Sequence, residues 1–243
     1  MTFKYLKNRI GAIFIFALAA GSIYFYQLGI VFLPQLLKMQ AGGTLPRAAL
    51  EAQMRHYDVW LAGITLILAA IQISCLYWLY RTQLKRRNPL HIGRRKFRLE
   101  SVFFIVLMYG LVLAANAAVL RFGTPHNQQE VVSEMTILPV TLFFLAAICG
   151  PIIEELIFRG VFMNLFWQKD NTLNFWGAVI TSGLVFGLLH EPHLTPFLLL
   201  YSSLGAILAI TYRYHRDLRY SIGLHMLINF FPAVAGLVRA FMH

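Results

Sequence analysis

Six polar residues stand where apolar ones would be expected, and their types are those of acid–base chemistry. Pro151-Ile152-Ile153-Glu154-Glu155-Leu156-Ile157-Phe158-Arg159-Gly160 sets two acids and an arginine in a run that is largely apolar from Ile137 to Trp167. Within a membrane each such charge costs roughly 2.5–3.5 kcal/mol, so a cluster of this kind is functional by default. On a helix Glu155 and Arg159 are i and i+4 and share a face, with the acid on the favourable N-terminal side. Glu154 is turned about 100° away. One acid is expected to pair with the arginine, leaving the other free for chemistry. The alternative is an ion-pair network that only fixes helix packing. Further on, His190 follows Phe186 by one turn, with Gly187 allowing close approach. His225 and Asn229 are again i and i+4. A lone histidine on an apolar helix is ordinarily a packing residue. Two of them, with an asparagine and two glutamates on three helices, describe a polar pocket inside a bilayer.

Hydrolysis of an amide by water needs a general base. A carboxylate in apolar surroundings resists ionisation, which brings it toward the range where a base is useful. The reaction also needs donors where the oxyanion forms, and an Asn amide and a His N–H are such donors. No serine or cysteine stands with histidine and acid at a nucleophile's spacing; Ser182 is nearest and lacks a paired base. Direct attack by water is therefore expected rather than an acyl-enzyme. No cofactor is required by this chemistry, but zinc stays open: Glu154, His190 and His225 would make a His₂Glu set with a free position. Against zinc, His190-Glu191-Pro192-His193 is not H-E-x-x-H.

Glu-Glu-x-x-x-Arg, Phe-x-x-x-His and His-x-x-x-Asn, in this order and with Gly160 after the arginine, resemble the CPBP (Abi) family of CAAX-processing and bacteriocin-processing intramembrane proteases. The resemblance runs from Gly150 to Pro232; the earlier spans match only in hydropathy. It implies an eight-helix-like membrane bundle with a water-holding cavity, and cleavage of a peptide bond. Carried over by position, Glu154 would activate water with help from His190. His225 and Asn229 would stabilise the oxyanion, and Glu155 with Arg159 would order the site. The implied substrate is a small membrane-associated peptide or a lipidated protein, and the implied setting is a bacterial plasma membrane. Two rival readings are a non-proteolytic relative that regulates a membrane partner and a proton- or ion-coupled transporter. The repeated halves expected of a transporter are not seen. The last residues, Ala240-Phe241-Met242-His243, form no C-a-a-X motif, so the chain is not expected to be prenylated itself.

These residues need helices to carry them. The 243 residues are 58% hydrophobic and only 13% charged, against about 25% charged in soluble domains. The expected architecture is an all-α polytopic membrane bundle of seven to eight transmembrane helices with an intramembrane polar cavity. It is a single membrane domain, with residues 1–135 supplying the first three spans and 136–243 the motif-bearing helices. Spans are expected from Ile10 to Leu33 (retained, not a cleaved signal, and ended by Pro34), Val59 to Tyr80, Val102 to Leu120, Thr136 to Trp167, Trp176 to His190, Leu194 to Tyr212 and Ser221 to Phe241. The fourth is expected to break or kink near Gly150-Pro151 and the last to kink at Pro232. Gln72 and Ser74 are expected to bond between helices, and Asn116 to mark a helix–helix contact. The net charge of +11 falls in short loops, above all Arg81 to Arg98, where it sets topology and meets anionic lipid. It places the N-terminus in the cytoplasm and implies no nucleic-acid partner. One conflict arises. At 1.5 Å per residue from level helix starts, Glu154 lies roughly 18 Å deep, His190 roughly 24 Å and His225 under about 10 Å.

Overall fold

The computed structural model describes residues 3–242, and the side chains of 10–119 and 121–242. The basic side chains of Lys4, Lys7 and Arg9 lie outside the described residues. Every regular element among the described residues is helical. The first span joins α1 (Phe3–Gly21), a 3₁₀ turn (Ser22–Gln27) and α2 (Leu28–Gln40). A short α3 (Arg47–His56) precedes α4 (Asp58–Arg86) and α5 (Leu99–Val119). After α6 (His126–Met135) comes α7 (Pro139–Phe166), then α8 (Thr172–His190), α9 (Pro196–His215) and α10 (Leu218–Met242). Among the described residues, seven helical stretches are long and apolar enough to cross a membrane.

The helix ends follow from local chemistry. Pro139 and Pro196 occupy first-turn positions, where a missing N–H costs nothing. Asn171 caps α8, its Oδ1 accepting from Asn174 N at 2.8 Å, and Thr195 caps α9. α7 is capped from another helix: Asp58, at the start of α4, accepts from the amides of Val140 and Thr141, each at 2.9 Å. Thr141 Oγ1 returns a bond to Asp58 O at 2.8 Å. One buried carboxylate thus satisfies two orphan amides and docks α4 on α7.

Several local expectations are corrected. Pro34 does not end the first span; it lies inside α2, which runs on to Gln40. The interruption comes earlier, at Ser22–Gln27, where Gln72 Nε2 donates to the carbonyl of Ser22 at 2.6 Å. α7 does not break at Gly150-Pro151. It stays helical, with two π-wound stretches, Leu145–Cys149 and Leu156–Met163, on either side. No fresh helix start therefore faces Glu154. Ser74 and Asn116 bond back to carbonyls of their own helices, Ala70 and Val112, not to neighbours.

α7 is the hub. It packs on α4, on α10 and on the first span, and α8 packs on α9 through a small-residue seam. A Cβ on Gly183 would come within 2.7 Å of Ser202 O, and one on Gly205 within 3.0 Å of Gly183 Cα, so only glycine permits this approach. The basic loop is tied down: Gly93 N donates to Arg216 O at 2.9 Å, Arg95 N to Asp217 Oδ2 at 2.8 Å, and Arg219 Nη2 to Arg95 O at 2.9 Å. Arg81–Arg98 and Arg213–Arg219 therefore share one end of the bundle.

Candidate active site

The two adjacent glutamates have different fates. Glu155 is fully buried, and its Oε1 accepts from Arg159 Nη1 at 2.9 Å. The same oxygen lies 3.1 Å from His225 Nδ1. Arg159, also fully buried, donates through Nη2 to the carbonyl of Gly205 on α9, a group that the glycine leaves accessible. Its guanidinium carbon lies 5.2 Å from the Phe186 ring centroid. Arg159 thus binds three helices, and Glu155 passes that order to His225.

Glu154 makes no such bonds. Its side chain retains 15% exposure, and its Oε2 has no hydrogen-bond partner among the described residues. That oxygen stands 3.8 Å from His190 Nε2 and 3.9 Å from His225 Nε2. Both rings are anchored through Nδ1, His225 on Glu155 and His190 on the carbonyl of Phe186 at 2.9 Å. With Nδ1–H donated, each Nε2 is the atom left for the pocket. His190 is also held between aromatic faces, stacked at 4.3 Å on Phe186 and at 5.0 Å on Tyr201.

Asn229 lies one turn beyond His225. Its Nδ2 donates to the carbonyl of Ala146 at 3.0 Å, in the first π-wound stretch of α7. One amide N–H remains for another acceptor. The structure therefore gathers Glu154, Glu155, Arg159, His190 and His225 into one network and ties Asn229 to the adjoining turn. The depth conflict disappears because its premise fails: the helices do not begin level, and side chains rather than Cα atoms meet.

Sequence reasoning missed Tyr26, whose hydroxyl stands over Gly150 beside Glu154. No periodicity marks it in an aromatic-rich span. The three side chains of the His₂Glu set face one another, but among the described residues no group of three histidines, cysteines or acids is close enough to hold a metal ion.

Comparison with known proteins agrees with the three motifs. Residues 136–231 match the family model for the Type II CAAX prenyl endopeptidase Rce1-like proteins. A putative membrane peptidase of Bacillus subtilis, YdiL, is 26% identical over 211 residues, spanning 86% of this chain and 83% of the relative. The motif-bearing part of the chain is thus similar to Rce1-like CAAX endopeptidases. A second relative, the membrane-embedded CAAX protease MroQ of Staphylococcus aureus, is 29% identical over 200 residues, covering 74% of this chain and 79% of its own. A Lactococcus lactis protein, YaiH, is 32% identical over 111 residues, 45% of this chain and 44% of the relative. No solved structure matches.

Proposed function

We propose that this protein is an intramembrane endopeptidase that hydrolyses a peptide bond with a glutamate-activated water. The observation that carries the reading is the placement of Glu154 Oε2, unbonded, between two imidazole Nε2 atoms at 3.8 and 3.9 Å. Those separations suit a carboxylate that shares a water with the histidines. Glu154 takes one proton of that water as the oxygen adds to the substrate carbonyl carbon. The negative charge that develops on the carbonyl oxygen is met by His225 Nε2–H and the second N–H of Asn229. Glu155 supports that role, since a carboxylate on Nδ1 stabilises the doubly protonated ring. His190 orients the water and helps pass the proton from Glu154 to the leaving amine as the C–N bond breaks. Arg159 holds Glu155 and never meets substrate.

The substrate class is a small membrane-associated peptide or lipidated protein, and the catalytic unit is the 136–243 segment supported by the first spans. Both basic segments meet at one end of the bundle, which the positive-inside rule assigns to the cytoplasm.

Purified protein in liposomes, given a quenched library of short hydrophobic peptides, tests the reading. Cleavage that survives chelator and vanishes in Glu154→Gln supports it. Loss with chelator and rescue by zinc replaces it with a metal mechanism at the same three residues. A folded wild type that cleaves nothing turns the site into a partner-binding pocket.

A further inference from the structure

One buried polar group beside Glu154 has no part in the chemistry above. Tyr26, 2% exposed, comes from the first span, outside the segment that carries the three motifs. It lies in the 3₁₀ turn Ser22–Gln27, whose start is fixed by Gln72 on α4. A Cβ built on Gly150 would stand 3.3 Å from Tyr26 Oη, 3.5 Å from Glu154 Oε1 and 3.0 Å from the carbonyl oxygen of Leu145. Three oxygens from three places in the sequence therefore border the face of Gly150 that a side chain would otherwise occupy. Leu145 O already accepts from Gly150 N across the π turn and keeps a second lone pair. The histidines address the other oxygen of Glu154, Oε2. The carboxylate is thus approached from two sides by different groups.

We propose that Tyr26 is a positioning residue for Glu154, acting through one water held over Gly150 by the phenol, the Leu145 carbonyl and Oε1. The inference rests on the reading of Glu154 as the base. A water there accepts from the Tyr26 O–H and donates to Leu145 O and Glu154 Oε1, which gives it the three partners an ordered buried water needs. It fixes a torsion that is otherwise broad, the rotation of the carboxylate about χ3. Oε2 then stays turned to His190 and His225. It also gives the carboxylate a charge-assisted hydrogen bond whose loss the pH dependence of cleavage reports. Tyr26 and Gly150 are in this sense one device: the tyrosine supplies the donor and the glycine supplies the room.

The test compares pH profiles of a cleaved peptide for wild type, Tyr26→Phe, Gly150→Ala, the double variant and Glu154→Gln, all in liposomes. Phe keeps the ring and removes only the donor. Tyr26→Phe is expected to lower kcat about 10- to 100-fold, the worth of a hydrogen bond to a charged group, with KM little changed. The acid limb of kcat/KM should move to higher pH, a change that loss of packing alone does not produce. Gly150→Ala fills the spot and should act alike, and the double variant should be no worse than the poorer single, since both remove the same water. A Tyr26→Phe protein with wild-type kcat and acid limb overturns the proposal, whatever Gly150→Ala does. So does a double variant whose losses multiply. If Glu154→Gln is dead while Tyr26→Phe is normal, only the role of Tyr26 falls. If Glu154→Gln is fully active, the reading of Glu154 falls, and Tyr26 with it.

Discussion

α5 and α7 are both apolar, with mean hydropathies of 2.3 and 2.0 over their best windows, yet they play opposite parts. Only 11% of the α5 window is buried within the protein, against 56% for α7. α5 turns Phe103, Val106 and Leu107 outward. α7 buries Glu155 and Arg159 completely. In water the more apolar helix would be expected inside. In lipid, exposing leucine costs nothing, and the helix that must go inside is the one whose polar groups need protein partners. The same contrast holds for glycine: Gly110 on α5 has open space beside it, whereas Gly205 on α9 lies against Phe186 and Gly183.

Variants can break this contrast, beginning with the largest effect. Glu154→Gln should cut kcat about 100- to 10,000-fold, the usual range for a general base, with thermal stability in detergent unchanged. Arg159→Met should destabilise by about 3–5 kcal/mol, because it strands Glu155 as an unpaired buried charge. Adding Glu155→Gln should restore much of that stability, read by thermal melting, without restoring cleavage. Asp58→Ala should cost about 1–2 kcal/mol, since it uncaps α7. Val106→Ala on the outer face of α5 should stay within about 0.5 kcal/mol. A large loss there would mean that α5 has a protein partner rather than lipid.

Asp217 tests a charge at the rim instead of the centre. Burial pushes its carboxyl upward, but the Arg219 guanidinium and the amides of Arg95 and Arg219 outweigh this and hold it below the usual range. A depressed native value means that its stabilisation is full above the unfolded pKa, near 3.9, and fades as pH falls through the native one. The melting temperature of wild type should exceed that of Asp217→Asn at pH 6, and the gap should close below about pH 4.

Much of this architecture could be read from the sequence, because length and hydropathy suffice to locate spans in a membrane. The pairing of Glu155 with Arg159 was legible too, since i,i+4 geometry is local. What was hidden is what depends on winding and on neighbours. Gly150-Pro151 signals a break, but a helix packed against its neighbours stays helical, with π turns on either side of the pair. The depth count failed because a sequence gives distance along each helix and no common origin. Asp58 reads as an ordinary charge beside a span, and only the fold shows it capping a helix more than eighty residues away. Tyr26 is one of eleven tyrosines, and nothing local sets it apart.

The Glu155–Arg159 bridge also bears on how the protein is made. Its two charges belong to one helix, so they neutralise each other as soon as that helix winds. α7 can leave the translocation machinery already carrying its own counter-ion, before α8, α9 and α10 have been synthesised. Gly205 and His225 arrive later, and they complete a bonding pattern that the nascent helix has kept electrically silent in the meantime. Had the arginine's partner been placed on α10, a bare cation would have waited in lipid for some sixty residues of synthesis.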